Sequence, residues 1–120
     1  MRLLICGDRN WSDINSISII IKQYNPSVVI EGEAKGADSC ARIAAEHLGI
    51  EVLRFPADWQ KYGRAAGPIR NSQMLKEGKP DVVVGFHLDI DKSKGTRDML
   101  TRAKKAGKPT FIFNGELKEF

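Results

Sequence analysis

The sequence has few of the residues that build metal centres and covalent frameworks, with two cysteines and two histidines in 120 residues. Cys6 closes a short apolar run and Cys40 falls on an apolar helical stripe, so both read as small buried hydrophobes rather than a disulfide pair. His47 belongs to an exposed helix face and His87 to a strand exit; neither has Cys or His partners at ligand spacing, so no metal is expected. Long apolar runs are absent too. The opening "MRLLICGD" is too short for a signal peptide and nothing approaches a membrane span, so the expected location is the reducing cytoplasm. Lys and Arg number 19 against 15 Asp and Glu, a formal +4, yet no run of five or more basic residues occurs. Scattered cations favour mild attraction to a small anion over a nucleic-acid footprint. Neither G-x-G-x-x-G nor G-x-x-x-x-G-K-[ST] is present, and "GRAAGP" (63–68) is a weak echo of a phosphate loop.

What is present is a regular alternation. Five runs rich in Val, Ile and Phe, "RLLIC" (2–6), "SVVIE" (27–31), "EVLRF" (51–55), "DVVVGF" (81–86) and "PTFIF" (109–113), suit strands covered on both faces. Helical stripes lie between them. Ile14, Ile17, Ile21 and Tyr24 form one, capped by Ser12 or Asp13; Ala37, Cys40, Ala41, Ala44, Ala45 and Leu48 form another; Met99, Leu100 and Ala103 a third. A further helix is expected from Pro68, at its first position, to about Gly78. Strand and helix in alternation imply parallel pairing with right-handed crossovers. The expected fold is one domain over residues 1–120, a three-layer α/β/α Rossmann-like sandwich whose five-stranded parallel sheet runs in the order 3-2-1-4-5. The tail from Asn114 to Phe120 is short and charged, and is expected to fray.

In such sheets ligands bind beyond the carboxyl ends of the strands, where the winding reverses, here between the first and fourth strands. The segments "GDRNWSD" (7–13), "GEAKGAD" (32–38), "PADWQKYGRAAGPIRN" (56–71) and "HLDIDKSKGTRD" (87–98) all reach that edge. They carry Gly7, Gly32, Gly36, Gly63, Gly67 and Gly95. Glycine lets backbone amides approach an anion, and three of these loops run into helix N-termini that favour phosphate or carboxylate. Each residue also has a plainer reading. Gly7 and Gly32 are ordinary strand exits, Asp38 is a helix cap, Thr96 caps the last helix with Asp98 favouring its dipole, and Trp11 and Trp59 cover the core edge unless they stack on a ligand ring.

Four segments together, "GDRNWSD", "EGEAKGAD", "FPADWQKYGRAAGPIRNSQM" and "GTRDM", resemble the SLOG superfamily, in particular its short stand-alone YspA-type members of bacteria and phages. The likeness runs in order along nearly the whole chain. It implies the Rossmann-like fold and one of two activities: non-catalytic binding of a nucleotide-derived small molecule, as in SLOG sensor domains, or the phosphoribohydrolase chemistry of Lonely Guy enzymes, which release the base from nucleoside 5'-monophosphates. Those enzymes carry Arg-Lys-x-x-Met at one helix start and Gly-Gly-x-Gly-Thr-x-Glu at the next. The resemblance therefore puts Arg70 and Asp98 in the catalytic pair and Gly95 and Thr96 on the phosphate, with Asn71 where the lysine stands and Asp98 one methylene shorter than Glu. Departure of a base leaves an oxocarbenium-like sugar, which a carboxylate such as Asp98 would stabilise. Arg70 would grip the phosphate or hold that carboxylate. Gly7, Arg9, Trp11, Gly32, Gly36, Asp38, Trp59, Gly67 and Asn71 complete the expected ligand set. No cofactor or membrane partner is expected, and single-stranded DNA, the partner of SLOG DNA-processing proteins, ranks third. The family implies a homodimer or higher homo-oligomer.

Overall fold

The computed structural model describes residues 1–120. Strands β1 (Arg2–Gly7), β2 (Val28–Glu31), β3 (Glu51–Arg54), β4 (Val82–Phe86), β5 (Thr110–Phe113) and β6 (Leu117–Glu119) alternate with helices α1 (Ile14–Tyr24), α2 (Ala37–His47), α3 (Trp59–Tyr62), α4 (Ala66–Gly78) and α5 (Gly95–Lys105). The sheet order is β3-β2-β1-β4-β5-β6. The first five strands are parallel, and β1 pairs with β4 over Leu3 to Gly7. The winding therefore reverses between β1 and β4.

Alternate residues of β1 face opposite layers. Leu3 and Ile5 join Ile17, Ile20 and Ile21 of α1 and the alanines of α2 on one side. Leu4 and Cys6 join Met74 of α4 and Met99, Leu100 and Ala103 of α5 on the other. Fully burying one such aliphatic side chain is worth about 1.5–3 kcal/mol, so these two layers fix where the strand ends and helix starts meet. Asp13 rather than Ser12 caps α1, accepting from Ser16 N at 3.3 Å. Pro26 follows the left-handed Asn25 that ends the helix.

Four expectations need correction. The sheet has six strands, because the tail turns at Asn114 and Gly115 and pairs β6 antiparallel to β5, with Phe120 packed on the core. Helix α4 begins two residues before Pro68; its first-turn amides have no intrahelical acceptor, so the proline costs no hydrogen bond there. Leu48 lies past the end of α2 and is 37% exposed. Strand β3 sits at the sheet edge, and none of its residues is buried.

Candidate functional site

A cleft of about 990 Å³ opens at the carboxyl ends of β1, β2 and β4, and every site residue expected from the sequence lines it except Trp11 and Gly36. Trp11 instead packs edge-on against Phe86 and Phe113, with ring centroids 5.6 and 6.0 Å apart, and its Nε1 donates to Asp13 O and Ser16 Oγ. It closes the core. Gly36, at φ 78, lets the loop after β2 lie against the backbone of Asp8 and Arg9. Its role is the contact between two loops, which any side chain would block.

Along one wall a polar chain ties three segments together. The Arg70 guanidinium donates to the Gly32 carbonyl and, at 3.0 Å, to Asn71 Oδ1. Asn71 is buried, and its Nδ2 donates to Asp98 Oδ2 at 3.0 Å. Arg102 Nε reaches the same Asp98 oxygen at 2.8 Å. The proposed catalytic acid is thus already held by two donors. Gly32 is required by this packing, since a Cβ there would lie 2.5 Å from Arg70 Nη1 and 3.0 Å from Asp38 Oδ2.

Asp38 is buried in the first turn of α2, but it does not cap that helix; Gly36 holds the cap position and Asp38 accepts from Ala34 N at 3.2 Å. Burial pushes its carboxyl up to about 6, against the opposing pull of the Ala34 amide and the Arg70 guanidinium. Asp38 consequently titrates close to neutral pH inside the cleft. The strand before it ends on Glu31, fully buried, whose two oxygens accept from Glu33 N at 3.0 and 3.1 Å. Burial, with Glu33 and Asp38 adding to it, pushes the Glu31 carboxyl up to about 9, so it is neutral at pH 7.

On the opposite wall α5 starts without a side-chain cap of its own. Thr96 lies inside the first turn, and Ser93 Oγ accepts from its amide at 3.1 Å. The amides of Gly95 and Arg97 have no backbone acceptor. Thr96 is 5% exposed; its methyl faces Gly85, while its hydroxyl enters none of the chain's side-chain hydrogen bonds and is open to the cleft rather than buried. A hydroxyl and two amides therefore converge at the positive end of an 11-residue helix, which suits an anion.

Arg9, Lys35, Arg64 and Lys94 come from four loops, line the cleft and pair with no carboxylate. The cleft's own carboxylate Glu33 is answered by Arg42 and Arg54 at 3.5 and 3.7 Å. At the rim Trp59 is 50% exposed, beside Gly67, where a Cβ would sit 3.5 Å from the ring. Two residues that sequence reasoning passed over also line the cleft. Asp8 leaves β1 and His87 leaves β4, with His87 Nε2 3.7 Å from Asp8 Oδ2. Their only signal was position, one residue beyond each of the two strands that flank the reversal.

A doubly wound sheet with its polar cleft at the reversal places the molecule among the Rossmann-like α/β proteins. The family model described as "YspA, cpYpsA-related SLOG family" matches residues 1–62. The "Gene 61 protein" of Mycobacterium phage D29 is 34% identical over 122 residues, covering 93% of this chain and 95% of the relative. The chain belongs to the YspA, cpYpsA-related SLOG family. Among solved structures, DNA processing protein A from Streptococcus pneumoniae superposes with a TM-score of 0.72 at 19% identity, over 92% of this chain and 49% of that one. At that identity the likeness is one of fold, and the chain spans about half the length of that protein. No helix of the chain is long and apolar enough to cross a membrane.

Proposed function

We propose that the chain binds a nucleotide or nucleotide-derived small molecule at the carboxyl edge of the sheet, as a sensing or sequestering module. The observation that carries this reading is the start of α5, where the unpartnered Thr96 hydroxyl and the free amides of Gly95 and Arg97 converge on a cleft ringed by unpaired cations. An anionic group such as phosphate satisfies all of them together, and the half-exposed Trp59 offers a face for a base. Calorimetry with ribonucleoside 5'-monophosphates, coupled to chromatography for free base, tests it. Binding without base release is expected; absence of binding overturns the proposal.

The second reading, a phosphoribohydrolase-like N-glycosidase, draws on the meeting of Arg70, Asn71 and Asp98 on one wall. Against it, Asp98 Oδ2 is already committed to Asn71 and Arg102, which leaves only Oδ1 to meet a sugar cation, on a side chain one methylene shorter than the Glu of those enzymes. Binding is therefore preferred to catalysis. A single-stranded DNA partner is disfavoured by Asp8, Glu33, Asp38 and Asp98 among the cations of the cleft; steep salt dependence of DNA affinity would reverse that preference. Self-association is proposed alongside. Ile19 and Ile43 are 56% and 39% exposed on the α1 and α2 layer, and sedimentation showing only monomer would dispose of it.

A further inference from the structure

We infer that Asp8 and His87 form a hydroxyl-recognising subsite at the β1/β4 reversal, which selects ribose over deoxyribose in the bound nucleotide. The inference rests on the nucleotide reading above but concerns a different pair of residues from those that meet the anion. Both are anchored by their backbones on strand ends. Asp8 N donates to Phe86 O at 2.9 Å, Asp8 O accepts from Trp11 N and Ala37 N, and His87 N donates to Phe113 O at 3.0 Å. The side chains are 29% and 13% exposed, so they are held at the cleft and largely shielded from bulk water.

The hydrogen-bond pattern fixes what each presents. His87 Nδ1 accepts from the backbone amide of Asp89 at 3.0 Å. Nδ1 is therefore unprotonated, and the ring proton sits on Nε2, which points towards Asp8. Asp8 Oδ1 is committed to Asn10 N at 2.9 Å, leaving Oδ2 as a free acceptor. The distance from Nε2 to Oδ2, 3.7 Å, is too long for a direct hydrogen bond. A protonated imidazole closing on Asp8 as a simple ion pair would set Nδ1–H against the Asp89 N–H, two donors facing each other.

One donor and one acceptor across such a gap select a group that can accept and donate at once. A hydroxyl does so, taking the Nε2 proton in a hydrogen bond and giving its own to Oδ2. A phosphate oxygen does not, since it lacks a proton to donate and would face the Asp8 charge. Carboxylates at strand ends of open α/β sheets bind ribose hydroxyls elsewhere; here the carboxylate leaves β1 and a histidine supplies the complementary donor. With the anion at the start of α5 and the hydroxyl at the reversal, both parts of a ribonucleotide are met in one cleft.

The test compares calorimetric affinities for the four common ribonucleoside 5'-monophosphates with those for their 2'-deoxy and 3'-deoxy counterparts, in the native chain and in D8N and H87F. Losing one hydroxyl that meets a donor and an acceptor in a shielded site costs about tenfold in affinity. The native chain is expected to prefer the ribonucleotide by about that factor over at least one deoxy form. D8N keeps the Oδ1 acceptor for Asn10 but turns the free oxygen into a donor, and H87F removes the imidazole; each should bring the ratio close to one. The ratio is internal to each variant, so a general loss of affinity does not mimic the effect. Equal affinity for ribo and deoxy forms in the native chain would overturn the subsite and leave the nucleotide reading standing. No binding by any of the twelve compounds would overturn both.

Discussion

Asn71 on α4 donates through Nδ2 to Asp98 Oδ2 on α5 at 3.0 Å, joining the two helices that wall the cleft. Because Arg102 holds the same oxygen at 2.8 Å, Asp98 serves as a tie before it can serve as an acid. In D98N the ion pair with Arg102 is lost, and since both side chains are about a third or more exposed the expected cost is under about 1 kcal/mol. Nucleotide affinity should change by less than about threefold. Base release by the native chain that vanished in D98N, with binding intact, would instead make Asp98 catalytic.

Arg70 joins the loop after β2 to the same wall. Replacing it with alanine removes the donors to the Gly32 carbonyl and Asn71 Oδ1, and unsatisfied buried acceptors cost about 1–3 kcal/mol. R70A should therefore lower the melting temperature measurably. R70K should recover little of it, because one ammonium cannot reproduce the geometry of the guanidinium fork. An R70A chain as stable as the native one, but deficient in ligand binding, would show that Arg70 serves the ligand alone.

The buried carboxylate Asp38 should make the proposed anion binding depend on pH. Its folded-state value is raised from 3.8 to about 6, so the folded protein holds a proton that the unfolded chain has released. The corresponding stability is complete below about 3.8 and is lost as pH rises through about 6. The same titration adds a negative charge to the cleft. Nucleotide affinity should fall in the native chain between pH 5 and 7 more steeply than in D38N, which has no Asp38 proton to release. Parallel profiles in the two proteins would show that Asp38 stays out of the binding equilibrium.

Glu31 gives a second linkage behind the cleft. Raised from 4.5 to about 9 by burial, it contributes stability that is complete below 4.5 and is lost as pH climbs through about 9. E31Q has no such proton to lose. Its melting temperature should exceed the native value by a margin that widens from pH 5 to pH 9, and a constant margin would contradict the assignment.

Much of this was legible in the residues. Continuous Val and Ile runs specified buried parallel strands, and glycine-bearing loops after the strands marked the edge where the cleft opens. The wall formed by Arg70, Asn71 and Asp98 was visible through the resemblance, although its internal hydrogen bonds were not; spacing places side chains on a face without saying which of them satisfy one another. Trp11 was misplaced because an aromatic in a loop reads alike whether it faces a cleft or, as here, Phe86 and Phe113. Strand β6 was missed because "LKE" lacks an apolar pattern, and its pairing depends on the turn at Gly115 and the anchoring of Phe120. Asp8 and His87 lie 79 residues apart in sequence and meet only because β1 and β4 pair.

The most direct test of the binding site is the affinity of T96V for a ribonucleoside 5'-monophosphate that binds the native chain, measured by calorimetry beside its melting temperature. Valine keeps the methyl that faces Gly85 and removes only the hydroxyl that is open to the cleft. The expected result is about a tenfold loss of affinity, the worth of one hydrogen bond to a charged group, with the melting temperature held or raised. Unchanged affinity would contradict the placement of the anion at the start of α5.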